Sequence, residues 1–266
     1  MLASAFSLSR HFWPNDRYLW PAAQLLSRAR RLPNEQRIYR TALAFNMRLA
    51  PHAYPDGAML YGTFEVAVLR WLRRIVRPGD AVADVGANIG YHSLVLSHLV
   101  GGKGFVHAFE PNPSTADRLQ ENLALNSCTN VVVHRLALGN VDQQTTIFAP
   151  PDVNAHGMSS LRAPEDGWQA RPCDMRRLDE LLADSSLHLI KLDIQGAEMI
   201  ALQGASEILE RHRPYIILEH EDECLDAFGT SFAELRQWLE RGFNYRAKVI
   251  DRARGHSNVA FLPPRR

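Results

Sequence analysis

The chain has 266 residues, 46% of them hydrophobic and 22% charged, which supports a full core and excludes the disordered class. The net charge of +1 hides an asymmetry, because residues 1–80 carry 12 Lys and Arg against 5 Asp and Glu while the remainder carries 18 against 24. Cys128, Cys173 and Cys224 are far apart and lack CxxC spacing, so neither a disulfide scaffold nor a zinc ribbon is implied and a reducing cytoplasm suits them.

The opening stretch, Met1 to Trp13, is apolar but broken by serines, with Arg10 and His11 behind it instead of a basic lead, which is a poor signal peptide. No apolar run approaches the ~18–20 residues a bilayer crossing needs, so a transmembrane segment is not expected. Residues 1–60 are cut by Pro14, Pro21, Pro33, Pro51 and Pro55 into short pieces, some with helical spacing, such as Arg37 to Leu49. They read as a helical N-terminal extension or cap on a domain covering residues 61–266. Its basic charge is expected to dock on the acidic remainder, since clustered charge without a motif is a weak sign of a nucleic-acid partner.

From Thr63 to Val76 the apolar spacing predicts a helix, stopped by Pro78-Gly79. Short apolar runs then alternate with helical stretches. Strands are expected at Ala81–Val85, Gly104–Phe109, Val131–Arg135, Leu187–Asp193 and Pro214–Glu219, and helices at Tyr91–Leu99, Pro113–Asn126, Leu178–Ala183, Ala197–Arg211 and Phe232–Arg241. Tyr245–Ile250 and Asn258–Leu262 read as a closing antiparallel hairpin, and Pro263-Pro264-Arg265-Arg266 as a frayed tail. This rhythm predicts a doubly wound α/β sheet with helices on both faces.

The most informative stretch is Asp84-Val85-Gly86-Ala87-Asn88-Ile89-Gly90, at a strand end and helix start where open α/β sheets bind ligands. A dinucleotide site wants GxGxxG so that a pyrophosphate can sit on the helix N-terminus, and here Asn88 replaces the second glycine. Asp84 suits a ligand with an ammonium group and no phosphate. Glu110, 24 residues after Gly86, is placed to accept hydrogen bonds from both ribose hydroxyls. Glu110 fits either cofactor; Asp84 and the missing glycine favour S-adenosyl-L-methionine over NAD.

With Phe109-Glu110-Pro111-Asn112-Pro113, Gly157-Met158-Ser159-Ser160-Leu161, Leu178-Asp179-Glu180-Leu181 and Ile190-Lys191-Leu192-Asp193-Ile194-Gln195-Gly196-Ala197-Glu198, the chain resembles the FkbM family of methyltransferases from about Thr63 to Pro263. The resemblance implies a class I methyltransferase fold, seven strands with the last antiparallel, and methyl transfer to a hydroxyl oxygen of a sugar, glycolipid or small metabolite. It places Asp84, Gly86, Asn88 and Gly90 at the methionine end of the cofactor and Glu110 and Asn112 on the ribose and adenine side. Gln195 stands where the family often has Glu, and cannot act as a carboxylate base.

Methyl transfer needs an aligned acceptor and a base for its proton. Asp193, Glu219 and His220, at strand ends on the cofactor side, are the catalytic candidates. Asp193 and Glu219 could converge, which suits a base or Mg²⁺ held by oxygens; no metal ligand set is assigned from the sequence. Lys191 reads as a structural partner of Asp193 or Glu198, Ser159 and Ser160 as a substrate loop or a turn, and His92 as structural. An RNA ribose methyltransferase using the basic first third and a non-catalytic cofactor-fold protein are the rival readings. The partner expected is a small-molecule or glycan acceptor, with no specific nucleic acid; oligomeric state carries no sequence signature.

Overall fold

The computed structural model describes residues 20–33, 35–151, 156–162, 167–253 and 256–264; Met1 to Trp13 and the Arg265-Arg266 end of the expected tail lie outside them. In chain order come α1 (Trp20–Ala29), β1 (Arg37–Arg40), β2 (Asn46–Leu49), α2 (Asp56–Tyr61), α3 (Val66–Ile75), β3 (Ala81–Val85), α4 (Tyr91–Val100), β4 (Phe105–Phe109), α5 (Pro113–Ala124) and β5 (Val131–His134). There follow β6 (Ala137–Leu138), β7 (Gln143–Ala149), β8 (Gln169–Arg176), α6 (Leu178–Leu181), β9 (Leu187–Leu192), α7 (Glu198–Gln203), α8 (Ser206–Arg211), β10 (Tyr215–Glu221), α9 (Asp222–Ala227), α10 (Phe232–Phe243), β11 (Arg246–Ala253) and β12 (His256–Leu262). Among the described residues no helix is long and apolar enough to cross a membrane.

The main sheet has seven strands in the order β11-β12-β10-β9-β3-β4-β5. β3, β4, β5, β9 and β10 pair in parallel, and β12 runs antiparallel between β10 and β11. Side chains alternate across this sheet. Val82, Leu189, Ile217 and Ala260 pack on one face with α3, α4, α5 and the β1–β2 hairpin. Ala83, Ile190, Ile216 and Phe261 pack on the other with α6, α8 and α10. The helix starts follow local chemistry: Asn112 caps α5, its side chain accepting from the Ser114 N–H with Pro113 at the first helical position, and Ser231 and Glu234 form a capping box on α10.

Residues 37–49 form a β-hairpin, correcting the helical reading of Arg37 to Leu49. Asn46-Met47-Arg48-Leu49 alternates polar and apolar residues, and Met47 and Leu49 are fully buried. Side chains of α5 and the turn after it act as strand-like partners: Asn122 Oδ1 accepts the Arg48 N–H at 2.8 Å, and Asn126 both accepts the Asn46 N–H and donates to the Asn46 carbonyl. Arg48 also forms a bidentate pair with Glu121.

Two further differences concern the second half. The helix expected over Ala197–Arg211 breaks at Gly204-Ala205 into α7 and α8. A three-stranded sheet, β6-β8-β7, was not expected. Its buried residues are Ala137, Leu138, Ile147, Ala149, Cys173 and Met175, and its other side chains are exposed or half-buried. Its apolar alternation is therefore thin, and Pro172 argues against a strand. β6 pairs only with Met175 and Arg176, which leaves Pro172 with a neighbour on the β7 side alone.

Candidate functional site

At the carboxyl ends of β3, β4 and β9 lies a pocket of ≈ 590 Å³, partly open to solvent. Its lining includes Gly86, Asn88, Glu110, Asp193, Gln195 and, from the segment Gly157–Leu161, Gly157, Ser159, Ser160 and Leu161. Phe109, Pro111, Leu138 and Ile147 supply an apolar wall. The small sheet therefore contributes part of that wall through β6 and β7.

Gly86 has φ +76°, and a Cβ there would meet the Asp193 carbonyl oxygen at 1.9 Å. Only a glycine lets the β3–α4 loop pass that close to the end of β9. The close approach is to Asp193, whose N–H donates to the Val85 carbonyl at 3.0 Å. The N–H groups of Gly86 and Ala87 both donate to the Phe109 carbonyl, tying the loop to β4.

Glu110 is held by two backbone donors: Asn88 N–H to Oε2 at 3.0 Å and Asn112 N–H to Oε1 at 2.9 Å. Burial outweighs both and lifts its pKa to about 7. A carboxylate oxygen has room for a second donor, so the pinned group still offers two acceptors to the pocket. The Asn112 amide donates to Ser159 Oγ at 3.0 Å, which fastens the Gly157–Leu161 segment.

Asp84 is fully buried behind the pocket wall. Its Oδ2 accepts from Ser93 Oγ at 2.6 Å, and its Oδ1 lies 3.9 Å from Lys191 Nζ. Lys191, 3% exposed, also reaches Asp193 Oδ2 at 3.4 Å and does not pair with Glu198. Burial works against this ammonium, yet Asp193, Asp84, Glu65 and Glu219 around it hold its pKa above the ordinary lysine value. Lys191 in turn holds Asp193 below the usual carboxylate range against the effect of burial.

Sheet register explains the convergence. Lys191 pairs with Asp84 on one side and Ile217 on the other, so two residues on, Asp193 and Glu219 share the same face and the same level. One carboxylate oxygen from each of Glu65, Asp193 and Glu219 lies within 4.8 Å of the others. Glu219 is pushed well above its ordinary pKa by burial and by the charge of Asp193. His220, one residue along, faces the opposite side: it stacks on Phe232 with ring centroids 4.0 Å apart and bonds Ser257 Oγ at 2.8 Å.

The structure thus brings Gly86, Asn88, Glu110 and Asp193 to one pocket, with Glu219 beside Asp193. It sets Asp84, Gly90 and Asn112 one layer back and His220 on the far face. His92, buried, lies 3.2 Å from Glu65 and stays neutral through burial and the nearby Lys191. Glu65 and His256 are site residues that the sequence reading missed. Glu65 opens a helix far upstream, and His256 enters only through the β10–β12 register, so neither carries a local motif.

A sheet of this strand order, with its antiparallel strand inserted second from one edge and an acidic residue ending the second strand, defines a class I methyltransferase fold. The chain belongs to the Methyltransferase FkbM domain family, which it matches over residues 84–247. S-adenosylmethionine is the methyl donor of this family. The chain is similar to the hexuronic acid methyltransferase AglP of Haloferax volcanii, 31% identical over 55% of this chain and 58% of that one. It is also similar to the 31-O-demethyl-FK506 methyltransferase FkbM of Streptomyces tacrolimicus, 47% identical over 50% of this chain and 62% of that one. The chain therefore spans less than two thirds of the length of these curated relatives. A crystal structure of a methyltransferase FkbM from Methylobacillus flagellatus aligns with a TM-score of 0.48 at 21% identity, covering 73% of this chain and 50% of that chain.

Proposed function

We propose that this domain binds S-adenosylmethionine and moves its methyl group to a hydroxyl oxygen of a sugar, glycolipid or other small metabolite. The observation that carries the reading is the pocket lined by a doubly pinned Glu110 and by Asp193, with Glu219 beside Asp193. The residues fit the cofactor. Glu110 keeps acceptor capacity for two ribose hydroxyls, the apolar wall of Phe109, Leu138 and Ile147 suits adenine, and Asp84, whose Oδ1 is buried without a hydrogen-bond donor, stands behind the loop that would hold the methionine end. When bound, S-adenosylmethionine supplies an electrophilic methyl group on a sulfonium.

Gly86, Asn88 and Gly90 shape the loop on the methionine side, and Asn112 fixes the Gly157–Leu161 segment through Ser159. Asp193, kept ionised by Lys191, would take the proton of the acceptor hydroxyl as that oxygen is methylated. Glu219 shares the charge of Asp193. His220 serves from behind the strand, bracing β10 against β12 through Ser257. The names of the relatives, a hexuronic acid methyltransferase and a 31-O-demethyl-FK506 methyltransferase, support hydroxylated acceptors.

Calorimetric titration with S-adenosylhomocysteine, S-adenosylmethionine and NAD tests the cofactor assignment. Binding of the first two without NAD is expected, and Asp84→Ala and Glu110→Ala should each weaken it with the fold intact. Binding of NAD alone, or none at all, would sink the reading. On a panel of hydroxylated acceptors Asp193→Ala should bind cofactor yet not turn over, and normal turnover removes it from the mechanism.

A further inference from the structure

Glu219 and Glu221 lie two residues apart on β10, so their side chains leave the same face of the sheet. β12 runs antiparallel beside them and sets His256 directly opposite Glu221. His256 Nδ1 stands 3.0 Å from Glu219 Oε1 and 3.4 Å from Glu221 Oε1. One ligand atom from each of the three lies within 4.8 Å of the others.

A second observation comes from another part of the chain. Glu198, at the start of α7, is 2% exposed. Its Oε1 accepts the N–H groups of Ile194 and Gly196, whereas its Oε2 has no hydrogen-bond partner. Together with Asp193, Gln195, Glu219, Glu221 and Cys224 it lines a small pocket of ≈ 170 Å³ that adjoins the main one at Asp193 and Gln195. Four carboxylates therefore line one small space. Lys191 serves Asp193 and Asp84, and His256 serves Glu219 and Glu221. Among the described residues no cationic side chain pairs with Glu198. A buried carboxylate oxygen left without a partner is costly, and a small cation held among these carboxylates would relieve it.

We propose that Glu219, Glu221 and His256 bind one divalent cation, Mn²⁺ or Mg²⁺, with Asp193 and Glu198 facing it, on the acceptor side of the site. Carboxylate oxygens are the donors such hard ions take, and Mn²⁺ accepts one imidazole among them more readily than Mg²⁺ does. The imidazole ligates through Nδ1 by giving up its proton to solvent. The cation site stands on these side chains alone; its part in the reaction, lowering the pKa of the acceptor hydroxyl before Asp193 removes the proton, rests on the proposed methyl transfer.

The test is titration of the full chain with MnCl₂, followed by electron paramagnetic resonance, with and without S-adenosylhomocysteine. Saturable binding of one Mn²⁺ per chain, displaced by MgCl₂, is expected. Glu221→Gln and His256→Gln should each weaken it tenfold or more, while Glu35→Gln on the surface leaves it unchanged. Should His256→Gln fail to fold, Glu221→Gln, whose side chain is 41% exposed, carries the test. Absence of saturable binding, or equal affinity in Glu221→Gln, overturns the site. Mn²⁺ binding without S-adenosylhomocysteine binding keeps the cation site and removes the cofactor assignment; the reverse removes the cation site alone.

Discussion

Replacing Lys191 by Met keeps the length of the side chain and removes the ammonium that lies 3.4 Å from Asp193 Oδ2 and 3.9 Å from Asp84 Oδ1. Asp84 is fully buried and the side chain of Asp193 is 21% exposed, so at least one carboxylate is left charged without a partner. Breaking a buried pair this way costs about 3–5 kcal/mol. With about 2–4 °C lost per kcal/mol in a domain of this class, the unfolding midpoint should drop by roughly 6–20 °C. Thermal unfolding followed by circular dichroism at pH 7.5 reads the midpoint and urea unfolding the free energy, and Lys191→Met/Asp84→Asn should recover part of both, because the second change removes the stranded charge. A loss below about 1 kcal/mol, or no recovery in the double variant, refutes the argument that Lys191 neutralises this cluster.

Glu110 has a pKa raised to about 7 by burial, so its ionised form, the one that accepts ribose hydroxyls, is lost as pH falls; S-adenosylhomocysteine affinity should fall about tenfold between pH 8 and pH 6, and Glu110→Gln should be weak and flat. The same raised value means that the unliganded domain loses stability as pH rises from the unfolded Glu value through about 7, since both states are protonated below that window and both ionised above it; thermal unfolding of wild type against Glu110→Gln checks the sign. Gly86→Ala places a Cβ 1.9 Å from the Asp193 carbonyl at positive φ, so calorimetry should show cofactor affinity lost together with stability. Asn122→Ala leaves the Arg48 N–H and the Ile89 carbonyl without their partner, at a cost of about 1–3 kcal/mol for each group left unsatisfied, and hydrogen exchange should rise in the β1–β2 hairpin.

The pocket residues legible in the sequence are those read by local rules. Gly86, Asn88 and Glu110 follow strand ends, and a strand end is visible where an apolar run stops at Gly, Asn or Pro. The seven strands of the main sheet were legible for the same reason, since each is a short apolar run bounded by turn residues. The hairpin at residues 37–49 is hard to read from sequence because its segments are short and its proline-cut surroundings resemble helix pieces, although Met47 and Leu49 carry the two-residue period. The small sheet was missed because it is mostly exposed and has little apolar alternation to detect.

By itself, then, the sequence determined the α/β class, the loop that turns after β3, and the acidic residue at the end of β4, because these depend on residues adjacent in the chain. Only the tertiary structure decided that Asp84 stands behind the pocket with Lys191, that His220 faces away from Asp193 and Glu219, and that Glu65 and His256 join them. Those placements follow from which strands lie side by side and in what register: a shift of one residue turns a side chain to the other face, and no local pattern encodes the partner across the sheet.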